Sequence, residues 1–138
     1  IIHLHGELTE VRPENCCSEM DGFSEVSVFD IGADPINVGD LAPNGSQLRP
    51  HIVWFGEAVP KIEDAILALR DTDVFVIIGT SLNVYPAAGL TRCVAPGTPI
   101  YLIDPNPVTW NSNEKVHHIV KGASEGMKEL FSILNISL

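Results

Sequence analysis

Residues 74–78 constrain this chain more than any other stretch. Val74-Phe75-Val76-Ile77-Ile78 are five consecutive apolar residues, four of them β-branched. Such a run predicts a strand buried on both faces, as in a parallel sheet. Gly79-Thr80-Ser81 then break the strand with small and hydroxyl-bearing residues. Pro86 stands where a first helical turn begins, followed by Ala87-Ala88. In open α/β sheets, ligands bind outside the carboxyl ends of the strands, at turns of this kind. Free backbone N–H groups at the start of a helix favour an anion such as a pyrophosphate there.

The remaining chain supplies further strands and helices around that one. Residues 1–5 read as a short apolar strand ending at His5-Gly6. Residues 12–48 are dense in turn formers, among them Asp21-Gly22, Asp34-Pro35 and Asn44-Gly45, with short β-prone pieces such as Val26-Ser27-Val28-Phe29. Residues 51–55 are β-prone and stop at Gly56. Ile62, Ala65, Ile66 and Leu69 form an i, i+3, i+4, i+7 stripe, which predicts a helix over 60–69. Residues 100–103 read as a buried strand and 117–120 as an edge strand. Residues 124–134 read as a helix through Met127, Leu130, Phe131 and Leu134. This order implies right-handed crossovers and a parallel sheet. The predicted class is α/β: half of a doubly wound, Rossmann-like parallel sheet with a small irregular inserted module. The expected partition is 1–8 as the start of the catalytic part, 9–48 as the small module and 49–138 as the Rossmann-like part.

The chain of 138 residues is long enough for one core, and 45% hydrophobic with 19% charged content describes a globular protein. A formal net charge of −10 argues against duplex nucleic acid or an anionic membrane as partner. No apolar run approaches the roughly 18 residues of a membrane span, and the first residues lack the basic start of a signal peptide. The chain begins with Ile rather than Met, abruptly at a strand, and so reads as part of something longer. Cys16, Cys17 and Cys93 form no disulfide framework, which points to a reducing cytoplasm. A structural zinc site takes four ligands, usually as two spaced pairs. Cys16-Cys17 supply one adjacent pair, with His51 a remote third ligand, so no zinc is expected.

Four stretches together resemble one family. Leu4-His5-Gly6-Glu7-Leu8, Arg49-Pro50-His51-Ile52-Val53-Trp54-Phe55-Gly56-Glu57, the run from Gly79-Thr80-Ser81 through Leu82-Asn83-Val84-Tyr85-Pro86-Ala87-Ala88, and Pro99-Ile100-Tyr101-Leu102-Ile103-Asp104 occur in the order found in the sirtuins. Sirtuins are NAD-dependent protein deacylases. The resemblance extends along the chain but covers only the C-terminal part of a sirtuin. It implies NAD as co-substrate and an acyl-lysine protein or peptide as substrate.

By that resemblance His5 is the general base that activates a ribose hydroxyl, a role open to an imidazole titrating near pH 6.5. Gly79, Thr80, Ser81 and Asn83 contact NAD phosphate and ribose. Asp104 lies near the adenine ribose, where the family often has Asn. A carboxylate there accepts from ribose hydroxyls and repels a 2′-phosphate. Ala123 and Ser124, after Gly122, match the adenine-edge loop. Val53, Trp54, Phe55, Gly56 and Glu57, with Val84, sandwich the substrate peptide as an added strand. The family's glycine-rich phosphate loop and Gln-Asn-x-Asp stretch are not in this sequence, nor are its paired Cys-x-x-Cys motifs, as in the zinc-motif-lacking bacterial type. Two other readings stand beside deacylation: a non-catalytic nucleotide-binding fragment of the same fold, and protein ADP-ribosyl transfer. His5-Gly6 with the Phe55-Gly56-Glu57 segment favours deacylation over the first, and His5 favours it over the second. The residues specify neither the acyl group nor an oligomeric state.

Overall fold

The computed structural model describes residues 1–15, 27–80, 82, 85–108 and 115–136. The chain divides into two compact units, Ile1–Lys61 and Ile62–Leu138. It is an α/β protein with one antiparallel and one parallel sheet among the described residues.

The first unit is an antiparallel sheet in the order β2-β1-β3, built from β1 (Gly6–Pro13), β2 (Phe29–Asp30) and β3 (Leu48–Ile52). The first strand begins at Gly6, where the sequence had predicted an end. The Gly6 N–H donates to the His3 carbonyl at 3.0 Å, closing a turn over residues 3–6. Pairing with β3 starts only after it, at Gly6↔Ile52 and Glu7↔His51. The predicted strand at 51–55 likewise lies earlier, because its ladder partners are on β1 and stop at Ile52. Residues 37–48 form a loop tied together by Gln47, whose amide donates to the carbonyls of Asn37, Asp40 and Leu48 and accepts from the Gly39 N–H. Among the described residues of this unit Val11, Ala42 and Val59 are buried, and so are the side chains of Arg12 and Arg49.

The second unit is a parallel sheet in the order β4-β5-β6, from β4 (Phe75–Ile78), β5 (Ile100–Ile103) and β6 (Val116–Ile119). Its strands fall where the apolar runs predicted them. Burial on both faces belongs to β5, whose four residues are all buried. In β4 only Ile77 is buried and Ile78 is 43% exposed. The cause is position: among the described residues β4 pairs on one side only, and β5 on both.

Strand alternation splits the core into two layers. Ile77, Ile100 and Leu102 face Val94 and Leu69 on one side. Tyr101, Ile103 and Ile119 face Leu130, Met127 and Leu134 of α2 (Ala123–Ile133) on the other. Gly126 lets that helix approach, since a Cβ there would lie 2.2 Å from Ile103 Cγ2. The stripe at residues 62–69 forms α1 (Ile62–Ala68), with its apolar side half-buried. The helix predicted after Pro86 is a 3₁₀ segment, Ala87–Arg92. Gly89 donates to Pro86 O and Cys93 to Leu90 O, both at 2.9 Å. Six residues with a glycine inside are too short and too permissive to propagate α-helix, and 3₁₀ turns suit such short pieces. Among the described residues no helix is long and apolar enough to cross a membrane.

Candidate functional site

In the second unit, parallel pairing sets the carboxyl ends of β4, β5 and β6 side by side. Gly79 follows β4, Asp104 follows β5, and Gly122 follows β6 and caps α2. Gly79 donates its N–H to the Ile103 carbonyl at 3.0 Å, and Asp104 donates its own to the Ile119 carbonyl at 3.3 Å. The loop starts of all three strands are thereby held on one sheet edge.

Gly79 has φ +65, a left-handed conformation that glycine tolerates, and a Cβ built there meets none of the described residues within 4 Å. Its backbone is open to close approach. The Thr80 hydroxyl accepts from the Leu82 N–H at 3.2 Å. Asp104 is buried, at 8% exposure. Its Oδ1 accepts from the Asn106 N–H at 2.8 Å, and a carboxylate retains lone pairs for further donors. His118 Nε2 lies 3.0 Å from the Asp104 carbonyl oxygen and braces the same turn. At α2, Gly122 is the N-cap and supplies no side-chain cap, so the first-turn N–H groups at Ala123 and Ser124 are left to other partners. An open glycine backbone, a buried carboxylate and a helix N-terminus on one edge fit a dinucleotide. Ser81, Asn83 and Val84 lie outside the described residues.

The first unit carries the other candidates. His5 is exposed, and its carbonyl accepts from the Val53 N–H at 2.9 Å. That bond places the histidine beside the start of the predicted peptide-binding segment. Gly6 is required next to it: φ is +86, and a Cβ would lie 1.9 Å from the His51 carbonyl oxygen. Beyond Val53 the chain turns over Trp54-Phe55-Gly56-Glu57. Gly56 has φ +91, and the Glu57 N–H donates to Trp54 O at 3.0 Å, as in a type II turn. Phe55 is 97% exposed and Trp54 49% exposed.

Glu57 turns its carboxylate inward, to Arg12 and Arg49. Its pKa falls to about 2, chiefly through the hydrogen bond from Arg49. The two arginines were not among the sequence-predicted site residues. Their signal was present, since Arg49 stands eight residues before Glu57, but the distance to Arg12 closes only in the sheet.

His51 Nε2 lies 4.0 Å from Glu10, and burial lowers the His51 pKa. Cys16 and Cys17 lie outside the described residues. Among those described, no group of three or more His, Cys, Asp or Glu side chains is arranged to hold a metal.

Comparison with known proteins identifies the family and the fold. The model of the Sir2 family matches residues 1–86. An NAD-dependent protein deacylase of Bacteroides thetaiotaomicron is 50% identical over 136 residues, covering 97% of this chain and 56% of the relative. One from Helicobacter pylori is 41% identical over 130 residues, covering 94% and 53%. A Sir2 homologue solved as a mutant with ADP-ribose superimposes with a TM-score of 0.75 at 32% identity, over 99% of this chain and 55% of that one. A Sir2 homologue in complex with NAD gives 0.72 at 32% identity, over 97% and 50%. The chain spans about half the length of the curated relatives it matches. A family model matched over most of the sequence, and a relative 50% identical along nearly the whole chain, make this chain a member of the Sir2 family.

Proposed function

We propose that the chain forms the nucleotide-edge and peptide-docking parts of an NAD-dependent protein lysine deacylase, which converts acyl-lysine, NAD and water to lysine, nicotinamide and O-acyl-ADP-ribose. The observation that carries this reading is the single sheet edge holding Gly79, Asp104 and the α2 N-terminus. When bound, NAD supplies the electrophilic ribose carbon and nicotinamide as leaving group. The Gly79 backbone binds phosphate oxygens, and Ala123 and Ser124 at the start of α2 line the adenine edge. Ser81 and Asn83, which lie outside the described residues, are the further candidates of the sequence for the phosphate contact. Asp104 accepts from ribose hydroxyls and, by its charge, disfavours a 2′-phosphate, selecting NAD over NADP. His5 takes the proton from a ribose hydroxyl at its imidazole nitrogen. The segment from Val53 to Gly56, with Val84, receives the acyl-lysine peptide as an added strand, and Glu57 closes that segment. The cysteine usage fits a reducing cytoplasm, and the reading requires no zinc.

The test is a chimaera in which the N-terminal portion of the Bacteroides relative precedes Ile1. With an acylated peptide and NAD it should release nicotinamide and form O-acyl-ADP-ribose, read by mass spectrometry. Asp104→Ala should raise the KM for NAD about 10-fold while leaving the KM for peptide in place. A folded chimaera that releases no nicotinamide would overturn the reading.

A further inference from the structure

Arg12 on β1 and Arg49 on β3 are direct ladder partners. Their side chains are only 10% and 9% exposed. Like charges placed opposite one another in an antiparallel pair repel, and burial strengthens the repulsion. The Glu57 carboxylate lies against both. Oε1 takes Arg49 Nη1. Oε2 takes Arg12 Nη2 and Arg49 Nη2, each at 3.1 Å, and the Trp54 N–H at 3.0 Å. Arg49 Nη2 also donates to the Ile52 carbonyl at 3.1 Å, and its guanidinium lies 3.7 Å from the centre of the Trp54 ring.

A carboxylate so fully engaged has little capacity left for a substrate. Nor is stability the best account of it, because buried ion clusters seldom stabilise more than apolar side chains of the same volume. What charged groups offer here is direction. One guanidinium fork fixes the last β3 carbonyl, the carboxylate that closes the turn, and one face of the Trp54 ring. Phe55 is left pointing into solvent at the turn's tip.

We propose that Glu57 is a positioning residue, which acts through Arg49 and Arg12 to hold Trp54 and Phe55 in the conformation that receives the acyl-lysine peptide. This rests on the deacylase reading and refines it: Glu57 shapes the docking segment without touching the peptide. Without its charge the two guanidiniums repel, Arg49 leaves the Trp54 ring, and the turn loses its fixed geometry.

The experiment uses the chimaera described above and the 138-residue chain. In the chimaera, Glu57→Gln should raise the KM for the acyl peptide about 10-fold or more, with kcat and the KM for NAD nearly unchanged. Arg49→Lys keeps the charge but loses the fork and the ring stack, so it should do the same; it also decides the matter if the glutamine variant fails to fold. In the chain itself, carrying Trp110→Phe so that Trp54 is the only indole, Glu57→Gln should red-shift the emission and open Trp54 to acrylamide quenching. An unchanged peptide KM in both variants, or a loss in kcat at constant KM, would overturn the proposal. So would an unchanged Trp54 spectrum, a result that stands even if the chimaera is inactive and the deacylase reading fails.

Discussion

His5 stands one position before a residue that only glycine can occupy. Gly6 lies against the His51 carbonyl in a left-handed conformation, and the turn it closes exposes the His5 ring. The His5 carbonyl is spent on Val53, so the backbone is anchored while the imidazole stays accessible. That division suits a base better than a core histidine. In the active chimaera, His5→Ala should lower deacylation roughly 100-fold to 10,000-fold, the range for losing a general base. NAD affinity should change much less, because the proposed phosphate and ribose contacts come from Gly79, Ser81 and Asp104. Turnover, NAD binding and melting temperature measured on one preparation separate this from a structural role. Unchanged turnover with a lowered melting point would end the case for His5 as the base.

At the scale of the element, α2 and β5 depend on one glycine. Alanine is favoured over glycine inside a helix by about 1 kcal/mol, so Gly126→Ala would stabilise an isolated α2. In the packed unit the new methyl would lie 2.2 Å from Ile103 Cγ2, on a fully buried β-branched side chain that has no free rotamer to retreat into. Overpacking of this kind costs about 1–3 kcal/mol. The clash should win: Gly126→Ala is expected to lower the urea midpoint with little change in slope. It should also weaken NAD binding in the chimaera, since α2 would carry its N-terminus away from Asp104. A raised midpoint would show that helix propensity outweighs the contact.

For the molecule as a whole, acid sensitivity should trace to the first unit. The Glu57 pKa is lowered from 4.5 to about 2, chiefly through the Arg49 hydrogen bond, then the Trp54 N–H, with Arg12 adding least. A depressed carboxylate contributes stability that is present above pH 4.5 and is lost as pH falls toward 2. The His51 pKa is lowered from 6.5, by burial against the partial opposition of Glu10, so its contribution is present above pH 6.5 and declines as the solution is acidified. Melting temperature should therefore fall in a first stage below pH 6.5 and a second below pH 4.5. Glu57→Gln should melt below the parent at pH 7, and the gap should close as pH approaches 2. His51→Asn should remove the first stage. A gap that widens in acid would contradict the assignment.

How much of this was legible beforehand follows from the range of the forces involved. Hydrophobic periodicity acts within a few residues, so the strands at 75–78 and 100–103, the half-buried stripe of α1 and the helix ending the chain could be read directly. The four motif stretches, local as well, sufficed for the family. Burial depth could not be read in this way. The runs over 74–78 and 100–103 are equally apolar, yet β5 is covered on both faces and β4 is not, because strand order sets the number of neighbours. The first strand was placed too early, since apolar residues 1–4 carry no sign of where ladder partners start. Glu57 shows the same limit: its place beside Phe55-Gly56 pointed toward substrate, while the fold turned its carboxylate onto an arginine 45 positions away. The sequence by itself determined the strands of the parallel sheet, the helices α1 and α2, and the family. Tertiary structure alone decided which charges meet, because Coulombic and hydrogen-bond partners depend on distance in space, and chain separation does not encode it.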